Sequence, residues 1–217
     1  MAKFFEHDSA ATNELLQRAA QGDQQCLGKL LEGDRDRLRR MVALRLDRRL
    51  CGRISPSDVI QEAQLEAAQR LAEYLRNPTM PFFLWLRLIT GQRLLALHRR
   101  HLGAQMRTAG REVSLDRPFL PQATSAALAA RLLGRDASPS AAAIRAEMKV
   151  RLQDALDSMD PIDREVLTLR HFEQLSTTET AQELDISEEA AKKRHVRALK
   201  RLKAILTIVG GPGASES

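Results

Sequence analysis

Basic side chains are concentrated in one short segment of the sequence. Seven of the twelve residues from Lys192 to Lys203 are lysine or arginine, and none is acidic. At roughly 100° per residue, a helix over this segment has an apolar stripe formed by Ala191, His195, Leu199, Leu202 and Leu206. The opposite side carries Lys193, Arg194, Arg197, Lys200 and Arg201, with Lys192 nearer the boundary. Such a helix can pack on a core with one face and offer cations to phosphates and base edges with the other.

The residues before this segment predict a helix and a tight turn. Ser176 and Glu179 have the spacing of a capping box that starts a short helix. Asp185 stands at the turn, where aspartate tolerates the left-handed conformation better than most residues, and Ser187 can cap the next helix. This order is typical of a DNA-reading helix-turn-helix. The alternative is a solvated basic helix in an all-α protein.

Composition narrows the class of partner. The 217 residues carry a formal net charge of +6, and the sequence pI is about 9.8, which favours a polyanionic partner. No apolar run approaches the length of a membrane span, and the N-terminal residues lack a signal-peptide pattern. Cys26 and Cys51 are isolated, as expected in a reducing compartment. We therefore expect a cytoplasmic protein that is not inserted in a membrane.

The pattern of helix formers predicts an all-α fold with two helical domains joined by a flexible linker. We expect two helices between Thr12 and Leu50, a third that begins with a capping box of Ser55 and Asp58, and a fourth from about Phe82 to His101. Prolines and small residues then interrupt the pattern, which indicates a linker with at most one transient helix. The predicted divisions are a first domain over 12–101, a linker over 102–145, a helix-turn-helix domain over 146–208 and a disordered tail over 209–217.

The third and fourth helices each have a surface that could bind a partner. The packing stripe predicted for the third helix is Ile60, Ala63, Ala67, Leu71 and Tyr74, and the opposite, polar face includes Leu65. That leucine marks either a docking surface or a single exposed apolar residue, which needs no explanation. The fourth helix begins with Phe82, Phe83 and Trp85 and ends in arginines. Rings and cations together suit single-stranded DNA, but the aromatic residues could also be core.

These residues together resemble bacterial RNA polymerase sigma factors of the extracytoplasmic-function (ECF) group. Asp58-Val59-Ile60-Gln61-Glu62 is similar to a signature of that group, in an aspartate, apolar, apolar, glutamine, glutamate order. The blocks that carry the resemblance run over about 12–101 and 148–206. Further similar segments are Leu15-Leu16 to Gly22-Asp23, Trp85-Leu86 with Ile89, Arg99-Arg100, Asp160-Pro161, Arg164 to Leu167, Ser176 and Ile186-Ser187.

The resemblance implies three sets of contact residues. Contacts to the clamp coiled coil of core polymerase would come from Asp58, Gln61, Glu62 and Leu65. Contacts to the melted minus-ten element would come from Trp85, Gln92, Arg93, Arg99 and Arg100. Contacts to the duplex minus-thirty-five element would come from Ser187, Lys192, Lys193, Arg194 and Arg197. The sequence departs from the family pattern at Gln64, Gln92 and Ala96, which bears on how the minus-ten element is read.

The resemblance thus predicts a protein that binds core polymerase and directs initiation at specific promoters, with an anti-sigma protein as a further candidate partner. It implies no catalytic residue, metal or cofactor. A free-standing helix-turn-helix regulator, which binds DNA without polymerase, is the main alternative. An enzyme would have to use His98, His101 or His195. His195 lies on the predicted apolar stripe, and the other two lack a nearby set of ligands.

Overall fold

A computed structural model describes residues 9–106, 122–134 and 142–210. All regular secondary structure in these ranges is helical, which confirms the all-α prediction. The chain divides into two compact units, Met1–Pro121 and Gln122–Ser217.

Three short helices open the first unit: α1 (Ala10–Ala20), α2 (Gln24–Gly33) and α3 (Arg35–Arg45). Ser9 caps α1, and the Asp23 carboxylate accepts hydrogen bonds from the first backbone N–H groups of α2. The sequence had predicted two helices here. Asp34 divides the second of them, because it leaves helical geometry with φ −98° and ψ 0° between α2 and α3.

Two longer helices complete the first unit: α4 (Pro56–Arg76) and α5 (Phe82–Met106). The predicted capping box of α4 is present, since Ser55 Oγ accepts from the Asp58 N–H at 3.2 Å and Asp58 Oδ2 accepts from the Ser55 N–H at 2.9 Å. The predicted packing stripe of α4 is buried against α5 and α3. The side chain of Gln64 connects two helices, because its amide donates a hydrogen bond to the Leu31 carbonyl at 2.7 Å. This bond ties α4 to the end of α2.

An aromatic cluster closes the junction between α4 and α5. Tyr74 stacks on Trp85 with ring centres 4.6 Å apart, and Phe82 approaches Tyr74 edge-on at 5.9 Å. The Tyr74 hydroxyl donates to the Met80 carbonyl at 3.0 Å, so the polar tip of this buried ring has a partner. Burial of the three rings anchors the start of α5 on α4.

The second unit contains five helices within its described residues: α6 (Ser125–Leu132), α7 (Ala142–Asp157), α8 (Pro161–Leu167), α9 (Thr177–Leu184) and α10 (Glu188–Gly210). A π-helical turn, Thr168–Phe172, extends α8. α10 packs against α7, α8 and α9, and α6 packs against α7. The helix-turn-helix is α9, the turn and α10.

Helices occupy parts of the predicted linker and tail. α6 falls inside 102–145 and is tied to α7, because Ser125 Oγ lies 2.6 Å from the Asp157 carboxylate and Leu128 and Ala129 are buried. The start of that range extends α5, and Val209 and Gly210 extend α10. The remaining parts of the predicted linker, 107–121 and 135–141, and of the tail, 211–217, lie outside the described residues.

The turn between α9 and α10 has the predicted geometry. Both halves of the Ser176–Glu179 capping box are formed. Asp185 adopts φ 56° and ψ 46°, the left-handed region, and the next N–H, from Ile186, donates back to the Ala181 carbonyl at 3.0 Å. This single left-handed residue reverses the chain and sets the angle at which α10 leaves α9.

Substitutions at Asp185 should show how much of the stability at this turn depends on its left-handed backbone conformation. Asp185→Val should lower the free energy of unfolding by about 1–2 kcal/mol, because a β-branched residue resists positive φ. Asp185→Gly and Asp185→Asn should cost far less, since both residues accept this conformation. Urea unfolding of the full chain followed by circular dichroism checks this, and equal losses for all three variants would contradict the strain argument.

Candidate nucleic-acid and protein interfaces

The N-terminus of α10 is fixed by its cap, and its buried face is narrower than predicted. Ser187 Oγ accepts from the Ala190 N–H at 3.1 Å, so this residue caps the helix. The residues buried along α10 are Ala191, Ala198 and Ile205. Leu199 and Leu206, which the sequence placed in the apolar stripe, are exposed. The buried stripe of α10 therefore runs along these three residues, and both leucines lie beside it.

A buried carboxylate on α8 holds two arginines of α10. Asp163 is only 4% exposed and accepts from Arg194 Nη1 at 2.9 Å. It also accepts from Arg197 Nε at 2.5 Å and Nη2 at 2.7 Å, which makes a bidentate pair. Burial raises the pKa of Asp163, but the hydrogen bonds and charges of Arg197 and Arg194 outweigh it and hold this pKa below its ordinary value.

Two residues that the resemblance assigned to DNA are paired within the second unit. The guanidinium fork of Arg197 is engaged by Asp163, although 61% of its side chain is exposed, and Arg194 is only partly exposed. In this structure both arginines hold α10 on α8. Lys192 and Lys193 are exposed as predicted, and Lys193 also forms an exposed ion pair with Glu189 at 2.7 Å.

Removing the Asp163 carboxylate should destabilise the second unit. Asp163→Asn should lower the free energy of unfolding by about 1–3 kcal/mol near neutral pH, because two guanidinium groups lose a charged acceptor. Since the folded pKa of Asp163 lies below its unfolded value of about 3.9, the carboxylate stabilises the fold above that pH and the effect fades as pH falls through the folded pKa. Denaturant unfolding at pH 7 and below pH 4 measures this, and the difference between wild type and variant should shrink in acid.

Glu189→Gln provides the matched control. Its partner Lys193 is also on α10, but the pair is exposed, so the expected change is about 0.5 kcal/mol or less. Equal effects of the two variants would mean that the Asp163 pairs are no stronger than a surface pair.

A histidine pair links the π-helical turn to α10. The Nε2 atoms of His171 and His195 are 2.8 Å apart and the ring centres are 5.0 Å apart. At this separation one neutral ring can donate a hydrogen bond to the other, and the tautomers decide which ring is the donor. Burial, followed by the charge of Arg170, lowers the pKa of His171. Burial, then His171 and Arg170, lowers the pKa of His195.

Acid should weaken this contact. Because the folded pKa values lie below the ordinary histidine value of about 6.5, the fold favours the neutral rings, and stability should fall as pH drops below 6.5. His195→Asn should reduce the loss of unfolding free energy between pH 7.5 and pH 5.5. His101→Asn, at an exposed position on α5, should leave that loss unchanged. Urea unfolding midpoints at the two pH values measure this loss. An equal loss in wild type and His195→Asn would contradict the prediction.

The residues of the predicted docking surface on α4 are exposed. Gln61, Glu62 and Asp58 are exposed, and the Asp58 carboxylate also takes part in the capping box. Leu65 is 64% exposed, the largest value among the large hydrophobic residues of the described ranges. An exposed leucine between acidic and amide side chains can bind a basic, partly apolar partner surface.

Not all of the predicted minus-ten residues reach the surface of α5. Trp85 is 8% exposed and stacked on Tyr74, so the prediction that its ring contacts DNA is not supported. Arg93 lies against α4, with Nη2 at 3.3 Å from Glu66 and Nε at 3.7 Å from Glu62. Gln92 is partly exposed on the same helix, and Arg99 and Arg100 are exposed near its end.

Among the described residues, His, Cys, Asp and Glu form no group of three or more that could hold a metal ion. His98 accepts a hydrogen bond from the Asp47 N–H at 3.3 Å, which uses its Nε2 lone pair. No helix in the described ranges is long and apolar enough to cross a membrane.

The helix-turn-helix of the second unit defines a DNA-binding protein, and comparisons with known proteins narrow the class. Residues 149–202 match the family model of sigma-70, region 4. The ECF RNA polymerase sigma factor SigD of Mycobacterium tuberculosis (strain ATCC 25618 / H37Rv) is 30% identical over 192 residues, covering 88% of this chain and 82% of SigD. The ECF sigma factor BldN of Streptomyces coelicolor is 26% identical over 204 residues, covering 92% of this chain and 67% of BldN.

A solved structure agrees on the fold. CnrH, determined in complex with the cytosolic domain of CnrY, has a TM-score of 0.51 and 21% identity, covering 90% of this chain and 97% of CnrH. The chain belongs to the ECF family of RNA polymerase sigma factors. Members of this family are regulatory DNA-binding transcription factors rather than enzymes.

Proposed function

We propose that this protein binds core RNA polymerase and directs it to specific promoters. The observation that carries the proposal is the extent of the similarity to SigD, which covers 88% of the chain. The chain pairs an exposed acidic and apolar face on α4 with an exposed basic face on α10. A regulator that acts without polymerase would need only the second of these surfaces.

The first unit would hold polymerase and the melted strand. The clamp coiled coil would be bound by Asp58, Gln61, Glu62 and Leu65. Leu65, which is exposed in the free chain, would become buried at the centre of the contact. Arg99 and Arg100 would bind phosphates of the minus-ten element, because they are the exposed cations among the residues proposed for that role. The Trp85 ring would act indirectly, by fixing the start of α5 on α4.

The second unit would place α10 in the major groove of the minus-thirty-five element. Lys192 and Lys193 would bind phosphates and set the register, since both are exposed on the side opposite the core. Arg194 and Arg197 would support that face by pairing with Asp163 on α8. A cytoplasmic location follows from this function. Because CnrH was determined with CnrY, a regulatory protein that sequesters this chain is a further partner to test.

Reconstituted transcription tests the proposal. The full chain, added to core polymerase and a pool of promoter fragments, should yield transcripts that start downstream of a shared pair of sequence elements. Leu65→Asp should reduce both polymerase binding and transcript yield by about tenfold or more, because a charge would be buried in the contact. Pull-down with core polymerase and sequencing of transcript ends provide the two measurements.

Val150→Asp is the matched control, since Val150 is also an exposed aliphatic residue but lies on α7 of the second unit. It should leave polymerase capture through the first unit unchanged. Tight duplex binding without any dependence on polymerase, together with an absence of promoter-specific transcripts, would favour the free-standing regulator.

A further inference from the structure

The arginines and lysines of α10 make different contacts within the second unit. Arg194 and Arg197 turn toward α8 and share Asp163, and Arg201 Nη2 lies 3.4 Å from Ser158 Oγ, at the end of α7. The exposed lysines of α10 are Lys192, Lys193, Lys200 and Lys203. Lysine is a point charge that suits phosphate. The guanidinium groups of Arg194 and Arg197, which could read guanine, are engaged by Asp163.

Val196 lies at the centre of the lysine surface. Its side chain is 51% exposed, although it is β-branched and apolar. Residues three and four apart are neighbours on a helix, so Val196 is flanked by Lys192, Lys193 and Lys200. Its remaining neighbour, Leu199, is exposed as well. The lysine surface therefore has a small apolar patch in its middle, at the position that would lie deepest in a groove.

The major groove presents one apolar group that such a patch can recognise. Thymine carries a C5 methyl group there, whereas the other edges of the base pairs present hydrogen-bond donors and acceptors. Arginine reads guanine through a free bidentate fork, and Asp163 engages the fork of Arg197. An aliphatic side chain flanked by phosphate-binding lysines is suited to the thymine methyl.

We propose that Val196 is a specificity-determining residue of α10 that contacts a thymine methyl group in the minus-thirty-five element. The inference rests on the proposed function, because it requires α10 to enter the major groove. The lysines would fix the depth and register of the helix through phosphates on both sides of the groove. Val196 would then favour thymine through contact with its methyl group.

Deoxyuridine tests this contact, because it differs from thymine only by the missing methyl group. The holoenzyme formed from core polymerase and the full chain first selects its preferred duplexes from a library randomised across the minus-thirty-five element. Each thymine of the selected element is then replaced singly by deoxyuridine. At one or two positions the wild-type holoenzyme should bind about threefold to fourfold more weakly, the size expected for one buried methyl group. With Val196→Ala the same replacement should have little effect.

Two control variants distinguish loss of the thymine contact from a general loss of DNA binding. Lys193→Ala should weaken binding to the thymine and deoxyuridine duplexes equally, because a phosphate contact does not sense the methyl group. Val150→Ala should alter neither. An equal deoxyuridine effect in wild type and Val196→Ala, or a selected element without thymine, would overturn the assignment while leaving promoter binding intact. Failure of the holoenzyme to select any duplex would instead remove the proposed function.

Discussion

The buried carboxylate of Asp163 is the interaction on which the DNA-facing part of the second unit depends. It lies on α8 and accepts three hydrogen bonds from two arginines of α10. A carboxylate this deeply buried is stable only while it is paired, so the arginines must stay on that side of the helix. Their position fixes the rotation of α10 about its own axis. The exposed lysines and Val196 follow from that rotation, together with the turn at Asp185.

A comparable constraint organises the first unit around aromatic packing. Tyr74, at the end of α4, stacks on Trp85, near the start of α5, and the hydrogen bond from its hydroxyl fixes the ring. This contact orients α5, and the arginines at 99 and 100 lie on the same rigid helix more than three turns further on. In both units a buried contact therefore positions exposed basic residues at some distance.

Local features of this fold could be predicted from the sequence, while features that join distant elements could not. The capping boxes at Ser55 and Ser176 and the left-handed Asp185 depend on residues within a few positions, and all three were predicted correctly. The buried face of α10 was wrong in detail because it depends on Asp163, 31 residues before Arg194. The resemblance placed Trp85 on DNA, whereas the sequence pattern left core packing open, and the structure shows its ring buried and stacked on Tyr74.

The π-helical turn Thr168–Phe172 requires a fixed number of residues between α8 and α9. The Glu173 N–H donates to the Thr168 carbonyl, five residues back, and the Leu175 N–H donates to the Leu169 carbonyl, six residues back. Such a turn holds one residue more than an α-helical turn would. Loss of one residue would let α8 continue as a regular helix, but it would swing α9 and everything after it by about a quarter of a turn. Among relatives of this chain, an insertion or deletion at this point should therefore be rarer than substitution of the residues themselves.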